Sequence, residues 1–201
     1  MRRRVLSLVA ILLFLTLMVG GCGSKGNSQN TPAPESQKTE EGDTFRVGLE
    51  CGYPPFNWTQ LDDSNGAVPI DGSQEYAGGY DVEIAQRIAE GLGKQLVIVK
   101  TERTGLLPAL TSGKIDAIIA GMSPTEERKQ TIDFSDNYYK SDLVMVVKRG
   151  SKYENATSIQ DFKGAKITAQ LNTFHYTVID QIEGVNKQPA MDDFPAMRVA
   201  L

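Results

Sequence analysis

Histidine and tryptophan occur once each in the 201 residues, and cysteine twice. One histidine leaves no histidine pair, no metal-ligand spacing is present, and no nucleophile-elbow pattern interrupts the chain. Catalysis would need positioned acid and base groups, and the single candidate, His175, reads as a packed or surface residue on a helix. Two cysteines cannot form a disulfide framework. Cys51, at a strand end, reads as a small buried residue. Acidic residues outnumber basic ones, 25 to 21. The net charge of −4 becomes −7 once the three arginines at positions 2 to 4 are set aside, which argues against a nucleic-acid binder. Past Val19 no long apolar run follows, so no membrane span is expected in the remainder.

The arginines belong to a processing signal. Arg2, Arg3 and Arg4 precede an almost wholly apolar stretch from Val5 to Val19, and small residues then lead into Cys22. Val19-Gly20-Gly21-Cys22 resembles a bacterial lipoprotein lipobox, which implies cleavage before Cys22 and a diacylglyceryl thioether on its sulfur. An uncleaved anchor or a plain secretory signal are the alternatives. Residues 23–43 hold no aromatic and nothing that could form a core. They read as a Pro-interrupted tether that spans about 25 Å as a coil.

From Thr44 the chain alternates strands and helices. Phe45–Glu50 is a first strand, followed by the Pro-rich aromatic loop CGYPPFNW, with Phe56 and Trp58 as plug and Tyr53 as the exposed ring. A hairpin is expected across Ile70 to Tyr76. Tyr80–Leu92 is the clearest helix, with Val82, Ala85, Ile88, Ala89 and Leu92 on one face and Gly93 as its stop. Gln95–Lys100 is a strand and Thr104–Thr111 a helix. This β–α–β–α–β order implies a parallel sheet with crossover helices. Leu143–Lys148 is expected as a strand leaving this unit. A turn at Asp161–Gly164, a strand at Lys166–Leu171 and a helix from about Phe174 to Ile182 begin a second one. A last helix opens at Asp192 or Asp193.

The stretch Ile115–Arg128, IDAIIAGMSPTEER, carries the most chemistry. A buried strand runs into Gly121, Ser123 and a helix start whose cap is Ser123 or Thr125. The unpaired N–H groups of a helix start and the Arg128 fork suit a small carboxylate. Taken alone, the stretch reads more simply as an ordinary capped helix with a solvated arginine.

In combination, YPPF (53–56), GYDVEIAQRIAEGLG (79–93), LLPALTSGKIDAIIAGMSPTEERKQTIDFSDNYY (106–139) and DFKGAKITAQLNT (161–173) resemble the bacterial extracellular solute-binding proteins of family 3, the polar amino-acid receptors of ABC importers. That resemblance implies a periplasmic-binding-protein-like α/β fold of two lobes that close about a hinge. It divides the chain into a signal peptide (1–21), a lipidated cysteine and tether (22–43), lobe 1 (44–142), and a hinge strand with a partial lobe 2 (143–201). It implies that Arg128 grips the ligand α-carboxylate with Ser123, that the Gly121 carbonyl accepts from the α-amino group, and that Tyr53 stacks on the ligand. Glu50 falls where the family often has an acidic side-chain reader. Gln170, Thr173 and the Phe174 N–H contribute from the second lobe, Thr173 to the carboxylate.

One departure is Arg103, which stands where members commonly carry an aromatic and brings a cation near the ligand side chain. Glu50 and Arg103 point to different ligands, or pair with each other. An amide or basic amino acid is the expected ligand. The family's acidic residue for the α-amino group, its second crossing strand and the return to the first lobe would fall beyond Leu201. Lobe 2 is therefore expected to be incomplete, and the chain to bind weakly or not at all. The resemblance further implies no cofactor or metal, a monomer, permease and ATPase partners, and a place on the extracellular face of the cell membrane (the periplasmic side in a Gram-negative cell) through lipid alone. A ligand-sensing module for a signalling partner and a dehydratase-type enzyme on the same fold are the alternatives.

Overall fold

A computed structural model describes residues 42–201, so Cys22 and the signal and tether expectations lie outside the described residues. Strand β1 (Thr44–Leu49) is the axis of the structure. It ends in the hairpin β2 (Gly52–Tyr53) and β3 (Asn57–Gln60), and then come β4 (Val68–Pro69) and β5 (Tyr76–Gly78). Helix α1 (Tyr80–Gly91), strand β6 (Gln95–Lys100), helix α2 (Arg103–Thr111) and strand β7 (Ala117–Ile118) follow. Beyond them are α3 (Glu126–Lys129), β8 (Lys166–Ile167), α4 (Phe174–Val178), β9 (Asn186–Lys187) and α5 (Phe194–Ala200).

The expected parallel sheet forms in the order β6-β1-β7, with Val47 opposite Ile98 on one side and Ala117 on the other. β1 is the central strand, and Val47 and Leu49 of β1 and Ile98 of β6 are fully buried. Each such side chain contributes roughly 1.5–3 kcal/mol of transfer free energy. Val82, Ala85 and Ala89 of α1 and Leu106 of α2 cover the sheet. Ile88 and Leu92, expected on the inner face, are exposed. The buried arc of α1 is centred on Val82, Ala85 and Ala89, which leaves Ile88 at its margin, and Leu92 lies past the last helical turn. The strand expected over Ile115–Ala120 pairs only through Ala117 and Ile118, while Ile115, Ile119 and Ala120 are buried beside it.

The β2–β5 segment forms an antiparallel sheet in the order β2-β3-β5-β4, so the expected hairpin is β4–β5. The turn between β2 and β3, Tyr53 to Phe56, also caps α1. The carbonyl of Pro55 accepts the Tyr80 N–H at 3.2 Å, and that of Phe56 accepts the Asp81 N–H at 2.8 Å. Two donors that a helix start leaves orphaned are thereby satisfied. The chain passes this close only because Gly79 has φ 122°, and a Cβ there would lie 2.3 Å from the Phe56 oxygen.

A second hydrophobic cluster gathers Phe162, Ala165, Ile167, Ile179 and Ile182 about the parallel pair β8–β9. The strand expected over Lys166–Leu171 pairs only at Lys166 and Ile167, with one further bridge from Gln170 to Met191. The helix expected over Phe174–Ile182 breaks after Val178 into a 3-10 turn, Ile179–Gln181. The strand expected over Leu143–Lys148 is absent. Val144 is 79 % and Val146 68 % exposed, with Val147 alone packed on the second cluster. Apolar residues form a strand only beside an edge that takes their N–H and C=O groups, and no described strand offers one here. No helix among the described residues is long and apolar enough to cross a membrane.

Candidate functional site

Most of the sequence-predicted residues converge where the end of β1, the start of α2 and the Gly121–Arg128 loop meet the segment Gln170–Pro195. Glu50 follows β1 directly, and Arg103 is the first residue of α2. Their side chains pair at 3.3 Å and are only 12 % and 7 % exposed, so the open question of pairing resolves in its favour. The same Arg103 nitrogen, Nη1, donates to the Ala120 carbonyl at 2.9 Å, while Arg103 Nε is buried without an acceptor. Gln170 donates its amide N–H to the second Glu50 oxygen and to the Asp192 carbonyl, the latter at 3.0 Å. Glu50 is thus held by one donor from each side. Burial lifts its carboxyl above the usual range, against the pull of Arg103 and Gln170. Breaking such a pair by removing one partner typically costs about 3–5 kcal/mol, because the other charge stays buried.

Arg128 bridges a second gap. Its Nη1 donates to the Ser123 carbonyl at 2.9 Å and its Nη2 to the Asn172 carbonyl at 2.7 Å. Burial, and then the charge of Arg103, hold the guanidinium below its ordinary range. The cap of α3 is Thr125, whose Oγ1 accepts the Arg128 N–H at 3.4 Å; of the two candidates, Ser123 is not the cap. α3 is a single turn, so Arg128 is aimed by its carbonyl partners and not by a helix field. Asn172 reaches it because its backbone has φ 57°, the left-handed conformation that asparagine tolerates.

Tyr53 is half-buried, stacked on Phe56 at 5.2 Å between ring centres and met edge-on by Phe194 of α5 at 5.3 Å. Gly121, with φ 57°, lies beside its ring. The Gly121 N–H is donated to the Tyr138 hydroxyl at 3.0 Å, and that hydroxyl donates to Asp81 Oδ1 at 2.9 Å. Asp81 is fully buried in the first turn of α1, and its other oxygen accepts from Asn57 at 2.8 Å. Burial raises its carboxyl above the usual range, although Asn57 and Tyr138 stabilise the anion. This chain fixes the backbone on one side of Gly121 and leaves its carbonyl without a hydrogen bond among the described residues.

Thr173 is buried and caps α4, accepting the Tyr176 N–H at 3.4 Å and donating its hydroxyl to the Gln170 carbonyl at 2.7 Å. That proton is already committed, so reaching a carboxylate would require a rotation. Phe174 is at the first position of α4 with its ring exposed, apart from the converging side chains. From sequence Asp81 reads as a helix-end residue and Tyr138 as a packing one, as they are, but neither was expected beside the site; Asn172 and Phe194 were missed. Asp81 had a signal in its place two residues after Gly79, where a carboxylate meets a helix start; the Asn172 carbonyl, a backbone group, had none. A depression of about 440 Å³ lies between Trp58, Asn65, Tyr80 and Gln86, and none of the sequence-predicted site residues lines it. Among the described residues no group of three or more His, Cys, Asp or Glu side chains is placed to hold a metal.

Comparison with known proteins adds the family. A probable histidine-binding protein of Campylobacter jejuni is 34% identical over 169 residues, covering 82% of this chain and 59% of the relative. The ABC transporter glutamine-binding protein GlnH of Bacillus subtilis is 32% identical over 175 residues, covering 83% of this chain and 59% of the relative. This chain therefore spans about three-fifths of the length of both. Among solved structures, the arginine-bound form of a truncated arginine-binding protein from Thermotoga maritima superposes with a TM-score of 0.66 at 32% identity, covering 80% of this chain and 69% of that one. The two hydrophobic clusters thus lie within a periplasmic-binding-protein-like α/β fold. The family model for bacterial extracellular solute-binding proteins, family 3, matches residues 45–191, and the chain belongs to that family.

Proposed function

We propose that this protein is an extracytoplasmic amino-acid receptor that delivers a polar amino acid, amide or basic, to an ABC importer without chemistry on the ligand. The observation that carries this reading is the Arg128 fork, which touches a carbonyl from each side of the site. A ligand carboxylate with two oxygens can replace both carbonyls, exchanging neutral acceptors for a charged one. The unpaired Gly121 carbonyl then takes the α-amino group, Tyr53 supplies a ring face, and Glu50, Arg103 and Gln170 meet the side chain. Ser123, Thr173 and the Phe174 N–H complete the carboxylate end. The names of the relatives, binding proteins for histidine, glutamine and arginine, support this class of ligand.

In the same reading Cys22 carries lipid, residues 23–43 are the tether, and the receptor is a monomer on the outer face of the membrane that meets a permease and its ATPase. No cofactor takes part. The test is a thermal-shift screen, on a chain with both lobes whole, of the twenty L-amino acids at roughly 10 mM, since a ligand at ten times its Kd adds about 1.4 kcal/mol of stability and so reveals millimolar binding. A rise with one or a few polar L-amino acids, and not with their D-forms, is expected. A protein that ignores all twenty is not an amino-acid receptor.

A further inference from the structure

We propose that Arg103 selects the ligand's side chain: by occupying Glu50 it admits a neutral amide and turns away guanidinium and ammonium groups. The proposal rests on the receptor reading and narrows its ligand class.

Glu50 on its own would read as a counter-charge for a basic side chain. Here both of its oxygens are already taken, one by Arg103 at 3.3 Å and one by the amide of Gln170. A cationic side chain that sought Glu50 would have to displace Arg103. That residue is only 8 % exposed and tied at the same time to the Ala120 carbonyl at 2.9 Å, so it has no short path to water. The incoming cation would also stand against the Arg103 charge in a site of low dielectric.

What Arg103 still lacks is an acceptor. Its Nε–H is buried and unpartnered, and a buried donor without a partner favours any ligand that brings a carbonyl or carboxylate oxygen. Guanidinium and ammonium groups carry donors only and cannot answer it. A side-chain carboxylate could, but it would meet the Glu50 anion a few ångströms on. A carboxamide satisfies both neighbours, its C=O facing Arg103 and its NH2 facing Glu50 or the Gln170 carbonyl oxygen. The pair of charges is net neutral, as a neutral side chain requires.

The experiment uses a chain with both lobes whole and ranks glutamine, asparagine, glutamate, arginine and lysine by thermal shift at equal concentration, then repeats the series with Arg103→Met and Glu50→Gln. In the unaltered protein one of the two amides should give the largest shift, with arginine and lysine weaker by on the order of tenfold in affinity. In Arg103→Met the freed Glu50 should reverse the order and place arginine above glutamine, the ligand's guanidinium filling the vacated place. Glu50→Gln, which stays informative even where Arg103→Met does not fold, should leave Arg103 unneutralised and raise glutamate above glutamine. A larger shift with arginine or lysine than with either amide in the unaltered protein overturns the selector and leaves the receptor reading standing. So does an order that neither variant changes. No shift with any amino acid removes the receptor reading, and the selector with it.

Discussion

The Tyr138 hydroxyl accepts the Gly121 N–H at 3.0 Å across a 17-residue separation, tying an irregular segment to the loop that carries the candidate site. The same oxygen donates to the fully buried Asp81. Tyr138→Phe therefore removes an acceptor and a donor in one step, leaving the Gly121 N–H and an Asp81 oxygen short of partners. A loss of about 1–3 kcal/mol is expected. Urea unfolding of the two proteins measures it, and a difference below about 0.5 kcal/mol would show that water replaces the phenol without cost.

Asp81 also sets a pH dependence. Its folded carboxyl lies above its ordinary value of 3.8, chiefly through burial. The folded state then holds the proton more tightly than the unfolded one, so this group's stability is full below pH 3.8 and is lost as pH rises through the raised value. Asp81→Asn should flatten that part of the curve. Unfolding free energies at closely spaced pH values, compared between the two proteins, test this; parallel curves from pH 3.8 upward would contradict it.

Gly79→Ala should be among the most damaging small substitutions. The added Cβ would sit 2.3 Å from a backbone oxygen that cannot turn aside, at φ 122°. Overpacking and backbone strain together should cost roughly 2–4 kcal/mol. Thermal unfolding reads this directly. Gly91→Ala, with nothing within 4 Å of the new carbon, is the control expected to be neutral or slightly stabilising.

On the receptor reading, Arg128→Lys should weaken amino-acid binding about 10- to 100-fold, because one ammonium cannot replace a fork that serves two acceptors. Calorimetry is the measurement, and the ligand's amide or methyl ester should lose the distinction between the two proteins. An unchanged Kd would place the carboxylate elsewhere.

Cys22→Ala should release the protein from the membrane fraction of cells that express it and abolish labelling by a fatty-acid analogue. Retention in the membrane fraction with no labelling of either protein would point to an uncleaved apolar anchor.

Much of the fold was legible because it is written in side-chain periodicity. The alternation in β1, the QLVIVK run and the spacing of Val82, Ala85 and Ala89 are local signals, and the parallel sheet follows from their order. Arg128 was legible as a fork beside a helix start, and Glu50 only through the family resemblance. Glu50 and Arg103 were recognised as a possible pair, but 53 residues separate them and only the folded backbone shows that they meet. The Asn172 carbonyl and the orphaned Arg103 Nε were out of reach, since neither a backbone oxygen nor an unmade bond leaves a trace in residue order. Leu143–Lys148 misled for a related reason: β-propensity describes a readiness to pair, and the pairing edge is a separate requirement.

The Arg128 fork is held before any ligand arrives. An arginine free in solvent would surrender about 1.5–2 kcal/mol of rotamer freedom on being fixed by an anion. Here two neutral carbonyls have already frozen the side chain during folding. An arriving carboxylate inherits a finished geometry, so the ordering entropy is spent once, in making the protein, and is not charged again at each binding event.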